Sequence, residues 1–120
     1  MSGIMIVDDE STIQQLLSII LEDMGHDIVA QFMNGELALK EYREMEEKPD
    51  LVIIDHRMPI MPGTVLAERI LEMASDQKIL FLTADESVRD SVREMGVKHF
   101  LEKPADIESI RQSVEEALEK

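Results

Sequence analysis

Short apolar runs alternate with amphipathic segments five times along this chain of 120 residues. A run of four to eight apolar residues is typical of a buried strand, whereas apolar positions that recur every three or four residues predict a helix. The pattern predicts strands at residues 3–7, 27–31, 51–54, 78–83 and 97–101. It predicts helices at residues 11–24, 35–47, 64–74, 86–95 and 106–119.

The first predicted helix shows the helical pattern most clearly. Its apolar face is formed by Ile13, Leu16, Leu17, Ile20, Leu21 and Met24. Ser11 followed three residues later by Gln14 resembles a capping box, in which both side chains bond to the backbone of the first turn. Gly25 is a suitable residue to end this helix.

Regular alternation of strand and helix predicts a parallel sheet with right-handed crossovers and helices on both faces. The third strand, residues 51–54, is continuously apolar, as expected of a central strand that is covered on both sides. We therefore expect an α/β fold: a doubly wound, flavodoxin-like parallel sheet of five strands in the order 2-1-3-4-5, flanked by five helices. At this length, residues 1–120 are expected to form a single domain.

Polar side chains stand at the ends of four predicted strands. Asp8 and Asp9 follow the first strand, and Asp55 follows the third. Thr83 ends the fourth strand and Lys103 follows the fifth. Sites in open parallel sheets form at the carboxyl ends of the strands, so we expect these side chains to meet at one rim. The switch point of the expected strand order lies between the first and third strands, which carry the acids.

Converging carboxylates are costly unless a cation neutralises them or their pKa values rise. An all-oxygen donor set suits Mg²⁺, which is commonly held by one or two carboxylates and keeps waters that a phosphate can replace. An ionised Asp55 could then act as a nucleophile toward phosphorus, with Lys103 and Thr83 binding oxygens of the transferred group. The alternative is that Asp8 and Asp9 only cap the next helix, and that Lys103 is solvated.

Four motifs together resemble the receiver domain of two-component response regulators. The motifs are Val7-Asp8-Asp9-Glu10, Asp55-x-x-Met58-Pro59-x-Met61-x-Gly63, Leu82-Thr83-Ala84 and Lys103-Pro104. In this order and spacing the resemblance covers the whole chain. It implies a phosphorylatable signalling switch of the stand-alone, CheY-like kind. Such a switch is not an enzyme in the usual sense, because it catalyses only its own phosphorylation and dephosphorylation.

The resemblance also implies roles for the acids at the rim. Asp55 would accept a phosphoryl group from a histidine kinase. Asp8, Asp9 and Asp55 would bind Mg²⁺, directly or through water. The backbone carbonyl of Arg57, two residues after the acceptor, would be a further ligand.

The same resemblance implies how the signal leaves the site. Thr83 would swing toward the phosphoryl group, and Lys103 would form a salt bridge to it after a Lys-Pro bond that is typically cis in this family. Phe100 would be the switch aromatic that turns inward as Thr83 moves, although an ordinary core residue of an edge strand is also compatible with its position. Partner binding would change at the face formed by the fourth helix, fifth strand and fifth helix.

Two further features bear on the function. The stretch of residues 96–100, Gly-Val-Lys-His-Phe, departs from the family's frequent Gly-Ala-Asp-Asp-Tyr type, which weakens any analogy to DNA-binding regulators that dimerise through that face.

Arg57 and Asp85 stand two residues after Asp55 and Thr83. We hypothesise that they pair across the site and restrict water, which would lengthen the life of the phosphoryl group. Otherwise they are two independent solvated side chains.

The charge limits the partners. The chain has 26 acidic residues against 12 Lys and Arg, a net charge of −14 that repels nucleic-acid phosphates, so we expect no direct DNA binding.

No run approaches the roughly 20 apolar residues of a membrane span, and no signal peptide is recognisable. The absence of cysteine fits a reducing cytosol, so a cytoplasmic location is expected. The expected partners are a histidine kinase and an unidentified downstream protein, with the chain a monomer or weak dimer.

Other functions stay open at this point. A phosphorelay intermediate would use the same residues. A small aspartyl-phosphate phosphatase is less favoured, because such hydrolases usually carry a second Asp where this chain has Arg57. A nucleotide or flavin binder would need a Gly-, Ser- or Thr-rich loop at residues 8–10, which are acidic here. A receiver that only docks partners would not need the Asp, Thr and Lys set.

Overall fold

The computed structural model describes residues 2–119 and has the expected α/β architecture. The strands are β1 (Gly3–Val7), β2 (Asp27–Phe32), β3 (Leu51–Ile54), β4 (Ile79–Thr83) and β5 (His99–Glu102). The helices are α1 (Ser11–Asp23), α2 (Gly35–Glu44), α3 (Gly63–Met73), α4 (Arg89–Glu94) and α5 (Ile107–Leu118). All strand pairs are parallel, in the order β2-β1-β3-β4-β5. The predicted fold class and strand order are therefore confirmed.

A separate hydrophobic core covers each face of the sheet. One core packs buried side chains of α2, α3 and α4 against the sheet, and the other packs those of α1 and α5. Every residue of β3 and β4 is buried, which explains why these strands are apolar throughout rather than alternating. Among the helices that the structure describes, none has the length and apolar character needed to cross a membrane.

Helix α2 ends at Glu44, three residues before the predicted end at residue 47. Met45 leaves the helical conformation, and its N–H closes the last turn on the carbonyls of Glu41 and Tyr42. The ammonium of Lys48 then donates to the carbonyls of Tyr42 and Met45. Because a side chain satisfies the terminal carbonyls here, the charged residues that follow do not need to continue the helix.

The predicted helix at 86–95 and the strand after it have different bounds in the structure. A 3₁₀ turn occupies Glu86–Val88, and α4 follows it for six residues. Gly96 has a φ of 108°, a conformation that ends the helix readily because glycine lacks a Cβ. The N–H of Val97 donates to the carbonyl of Val92 at 2.9 Å. Val97 therefore completes the end of α4, and β5 begins two residues later than predicted, at His99.

The capping box predicted for α1 is wrong. The helix does begin at Ser11, but its N-cap is Glu10, and no side-chain cap hydrogen bond forms. The side chain of Gln14 is buried and donates to carbonyl groups at the ends of β1 and β2 instead. Gly25, with a φ of 91°, follows the helix as expected.

Tyr42 is fully buried between α2 and the sheet. Its hydroxyl lies 2.6 Å from Oε1 of Gln77 and donates to it. Burial raises the pKa of Tyr42 to about 12, and the negative charge of Asp76 adds to the effect. The phenol is thus held in its neutral form far above the pH at which an exposed tyrosine ionises.

Tyr42 is the only tyrosine and the chain has no tryptophan, so tyrosinate absorbance reports on this one group. We expect a native titration midpoint near pH 12, against about 10 in denaturant. Because the folded pKa is the higher one, the unfolding free energy should fall as the pH rises from about 10 through the folded value. Tyr42→Phe should abolish the absorbance change and weaken that fall. A native midpoint near that of the denatured chain would contradict the buried hydroxyl.

Candidate functional site

The ends of β1 and β3 bring three acids together. The two strands are parallel neighbours with Val7 opposite Ile54, so the residues that follow them emerge side by side. One carboxylate oxygen from each of Asp8, Asp9 and Asp55 lies within 4.8 Å of the other two. Asp8 and Asp55 are only 2% and 4% exposed, whereas Asp9 is open to solvent. The convergence expected from the sequence is present.

Lys103 reaches this cluster from the end of β5. Its Nζ lies 2.9 Å from Oδ2 of Asp8, 2.8 Å from Oε1 of Glu10 and 3.6 Å from Oδ2 of Asp55. Burial lowers the pKa of Lys103, but the hydrogen bonds to Asp8 and Glu10 outweigh it, and the net change is upward. The side chain is 11% exposed, so Lys103 is not the solvated lysine of the alternative interpretation. The Lys103–Pro104 peptide bond is cis.

The positive charge of Lys103 does not balance the cluster. Burial raises the pKa of Asp8 above its ordinary value, although hydrogen bonds from Lys103 and from the backbone N–H of Glu10 act in the opposite direction. Lys103 is shared among Asp8, Glu10 and Asp55, so the cluster keeps a deficit of positive charge. An all-oxygen donor set with such a deficit fits a hard divalent cation such as Mg²⁺.

The loop after β3 folds tightly against the backbone of Asp55. The N–H of Gly63 donates to the carbonyl of His56 at 2.9 Å. A Cβ at Gly63 would lie 2.8 Å from Cα of His56 and closer still to the carbonyl oxygen of Asp55, so only glycine fits. Ile60 in the same loop has a φ of 72°, which a β-branched residue rarely adopts. Arg57 lies in this loop, and its backbone carbonyl stays a predicted metal ligand.

Thr83 ends β4 next to the acids and is fully buried. Its Oγ1 accepts a hydrogen bond from the N–H of Asp85 at 3.2 Å. Its backbone carbonyl accepts one from the N–H of Lys103 at 2.9 Å. The hydroxyl and the lysine are therefore joined through the backbone where β4 and β5 end.

Arg57 and Asp85 form the pair hypothesised from the sequence, and its effect on water stays a hypothesis. Nε of Arg57 lies 3.7 Å from Oδ2 of Asp85, and Nε2 of His56 lies 3.9 Å from the same oxygen. The other oxygen, Oδ1, accepts from the backbone N–H of Ser87 at 3.1 Å and also from its hydroxyl. The hydrogen bonds of Ser87, and then the charges of Arg57 and His56, lower the pKa of Asp85. Arg57 is 70% exposed, so the pair is a weak one.

Phe100 is half-buried on β5 opposite Phe81 of β4. Their rings are nearly parallel, with centroids 6.5 Å apart. The guanidinium of Arg89, on α4, covers the Phe100 ring at 4.5 Å from its centroid, within the range of a cation–π contact. Phe100 is thus held between Phe81 and Arg89, and its role as a switch aromatic stays a prediction.

Two residues of the site were not expected from the sequence. Glu10 accepts a hydrogen bond from Lys103, which also bonds to Asp8, although Glu10 and Lys103 are 93 residues apart in the chain. Gln14 bonds to the backbone carbonyl of Asp8. The position of Glu10 directly after Asp8 and Asp9 could have predicted that it belongs to the acidic cluster. Nothing local pointed to Gln14, whose spacing from Ser11 is that of a helix cap.

Fold and site together define a parallel α/β protein with an acidic pocket at the ends of its strands. The chain belongs to the response regulator receiver domain family, whose model matches residues 4–115. It is 29% identical over 117 residues to the chemotaxis protein CheY of Bacillus subtilis, a match that covers 96% of each chain. It is 34% identical over 118 residues to the transcriptional regulatory protein GlrR of Escherichia coli, covering 97% of this chain but 26% of that protein.

A solved structure has the same fold. The CheX-CheY-BeF3-Mg+2 complex from Borrelia burgdorferi matches with a TM-score of 0.92 and 27% identity, covering 98% of this chain and 90% of that chain. Receiver domains are signalling switches of two-component systems rather than classical enzymes, with a histidine kinase and a downstream target as partners. They bind Mg²⁺ in an acidic pocket, and this chain has a cluster of three aspartates that could hold a metal ion.

The charge deficit leads to a stability prediction. Asp55→Asn should raise the unfolding free energy of the metal-free protein by about 1 kcal/mol, because it removes one of the converging charges. Mg²⁺ should raise the melting temperature of the wild type, and do so less in the variant. Asp27→Asn, at an exposed acid on the far end of the sheet, is the matched control. It should leave both the unfolding free energy and the Mg²⁺-induced rise in melting temperature as in the wild type. Thermal unfolding with and without Mg²⁺ measures both effects; no shift in either would contradict the convergence.

Proposed function

We propose that this chain is a phosphorylatable switch of a two-component system with Asp55 as its phosphoryl acceptor. The proposal is carried by one observation, the convergence of Asp8, Asp9 and Asp55 within 4.8 Å at the switch point of the sheet. Lys103 beside Asp55 and membership of the receiver family support it.

Each acid of the cluster has a role in this proposal. Asp8, Asp9, Asp55 and the backbone carbonyl of Arg57 would hold Mg²⁺. The ion, when bound, neutralises negative charge on the phosphoryl oxygens. A carboxylate oxygen of Asp55 attacks the phosphorus of a phosphohistidine on the kinase. The new O–P bond forms as the P–N bond breaks, and the departing imidazole nitrogen keeps the electron pair.

Lys103 and Thr83 bind the transferred group. In the structure Lys103 is shared by Asp8 and Glu10, so an incoming phosphoryl group competes with those carboxylates for the ammonium. Thr83 accepts from the N–H of Asp85 and keeps its own hydroxyl proton to donate to a phosphoryl oxygen. Phosphorylation therefore rearranges bonds at the ends of both β4 and β5.

The output surface lies beside this rearrangement, on α4, β5 and α5. Thr83 and Phe81 are two residues apart on β4, so their side chains lie on the same face of the sheet. Phe100 stacks on Phe81 and carries Arg89 on its outer side. We expect phosphorylation to shift the population of conformers at Phe100, and the downstream protein to bind one of them.

Phosphorylation by acetyl phosphate tests the acceptor directly. The intact mass should increase by one phosphoryl group when Mg²⁺ is present, and not when the ion is chelated. Asp55→Asn should abolish the gain, whereas Asp27→Asn should leave it unchanged. Absence of any gain, together with no binding of beryllofluoride, would contradict the proposal and favour a domain that only docks partners.

In this proposal the Arg57–Asp85 pair restricts the access of water to the phosphoryl group and so lengthens its life. Arg57→Ala should speed dephosphorylation by up to about fivefold, the effect of an exposed ion pair of at most about 1 kcal/mol. Asp85→Asn should act similarly, and the double variant no more than either single one. Arg43→Ala, at an exposed arginine on α2, is the control. Equal rates for Arg57→Ala and the wild type would remove this role.

A further inference from the structure

Gln14 stands apart among the buried polar side chains. Apart from the phenol of Tyr42, those in residues 2–119 are Asp8, Gln14, Asp55 and Thr83, and of these four only Gln14 has no part in the proposed chemistry. It lies in the first turn of α1 and is 6% exposed. Further along the same helix the buried positions are apolar, at Leu17, Ile20 and Leu21. A buried amide at this place therefore needs an explanation other than core packing.

The amide of Gln14 ties together the ends of two strands. Its Nε2 donates to the backbone carbonyl of Phe32 at 2.9 Å and to that of Asp8 at 3.1 Å, with the carbonyl of Ile6 at 3.5 Å. Phe32 ends β2, and its carbonyl also accepts from the N–H of Asp8 at 3.1 Å. The peptide groups on both sides of the Asp8 Cα are therefore fixed, one by Phe32 and the other by Gln14.

A second hydrogen bond sets the direction of this amide. Nε2 of Gln31, on the edge strand β2, donates to Oε1 of Gln14 at 3.0 Å and to Oγ of Ser18 at 2.9 Å. The hydroxyl of Ser18 in turn donates to the backbone carbonyl of Gln14 at 2.9 Å. Because Oε1 is occupied by a donor, the NH₂ group must point at the carbonyl of Asp8.

We propose that Gln14 is a positioning residue that sets the affinity of the acidic pocket for Mg²⁺. This inference rests on the proposed function, in which Asp8 and Asp9 hold the ion. The peptide that joins Asp8 to Asp9 carries the carbonyl to which Gln14 binds, so its orientation aims both carboxylates. Residues that orient metal ligands typically change metal affinity by 10- to 100-fold when they are replaced.

Gln14→Met tests this role, because methionine has a similar length but donates no hydrogen bond. We expect the dissociation constant for Mg²⁺, measured by calorimetry on the unphosphorylated protein, to rise about tenfold. At saturating Mg²⁺ the rate of phosphorylation by acetyl phosphate should return to that of the wild type. Gln15→Met, at the exposed neighbouring glutamine on α1, is the matched control and should change neither quantity.

A second measurement needs no metal. The N–H of Glu10 donates to Oδ1 of Asp8 at 2.9 Å, so its hydrogen exchange reports on the loop. In the metal-free protein we expect Gln14→Met to speed exchange at Glu10 more than at residues of β3. Gln31→Leu removes the orienting bond to Gln14 and the bond to Ser18 but leaves the amide of Gln14 in place, so it should weaken Mg²⁺ binding by a smaller factor. It serves as the test if Gln14→Met does not fold.

The outcomes separate positioning from plain stabilisation. A lower melting temperature with an unchanged Mg²⁺ dissociation constant and unchanged exchange at Glu10 would overturn the inference. The same unchanged values in Gln31→Leu would overturn it if only that variant folds. If the wild type binds no Mg²⁺ at all, the proposed function fails, and with it the role of Gln14 in metal affinity. Exchange at Glu10 then still shows whether Gln14 holds the loop.

Discussion

Mutual repulsion of carboxylates at the ends of β1 and β3 is the constraint on which the rest of the site depends. The parallel sheet imposes this repulsion, because Val7 and Ile54 lie side by side and the acids that follow them therefore emerge at the same edge of the sheet. One ammonium, that of Lys103, is shared among the acids and leaves them short of positive charge. The cores on both faces of the sheet hold the strands in place against this repulsion. The convergence of the carboxylates, and with it the fit to a cation, is thus a consequence of the topology.

In the proposed switch, the path from the acids to the face of α4, β5 and α5 is short and passes through the last two strands. Thr83 is joined to Lys103 through its backbone carbonyl, and Phe81, two residues earlier, supports the ring of Phe100. Arg89 closes the stack from α4 and is itself bonded to Glu86 at 3.1 Å. The stacked rings of Phe81 and Phe100 therefore lie between the end of β4 and the solvent-facing side chain of Arg89. In the proposed switch, the last two strands and one stacked aromatic pair connect the two regions.

The sequence was informative wherever a local pattern decides the structure. Strand order and the meeting of Asp8, Asp9 and Asp55 follow from alternating elements, because parallel strands end at one rim. Partners that meet only in the folded chain were not predictable. Gln14 has the spacing of a helix cap, but the carbonyls of Asp8 and Phe32 bind its amide instead, and no local pattern reveals them. The end of α2 was predicted three residues too late for the same reason, because it depends on the hydrogen bonds that Lys48 donates to the carbonyls of Tyr42 and Met45.

Gly63 carries no side chain and takes no part in the chemistry, yet it is among the positions least free to vary. The atoms that any Cβ there would meet belong to the backbone of Asp55 and His56. No flexible side chain can move aside to make room, so a substitution must shift either Asp55 or the start of α3. Random mutagenesis that selects for loss of the proposed phosphorylation would therefore recover Gly63 together with the acids. Tolerance to mutation at Gly63 follows steric room rather than chemical role.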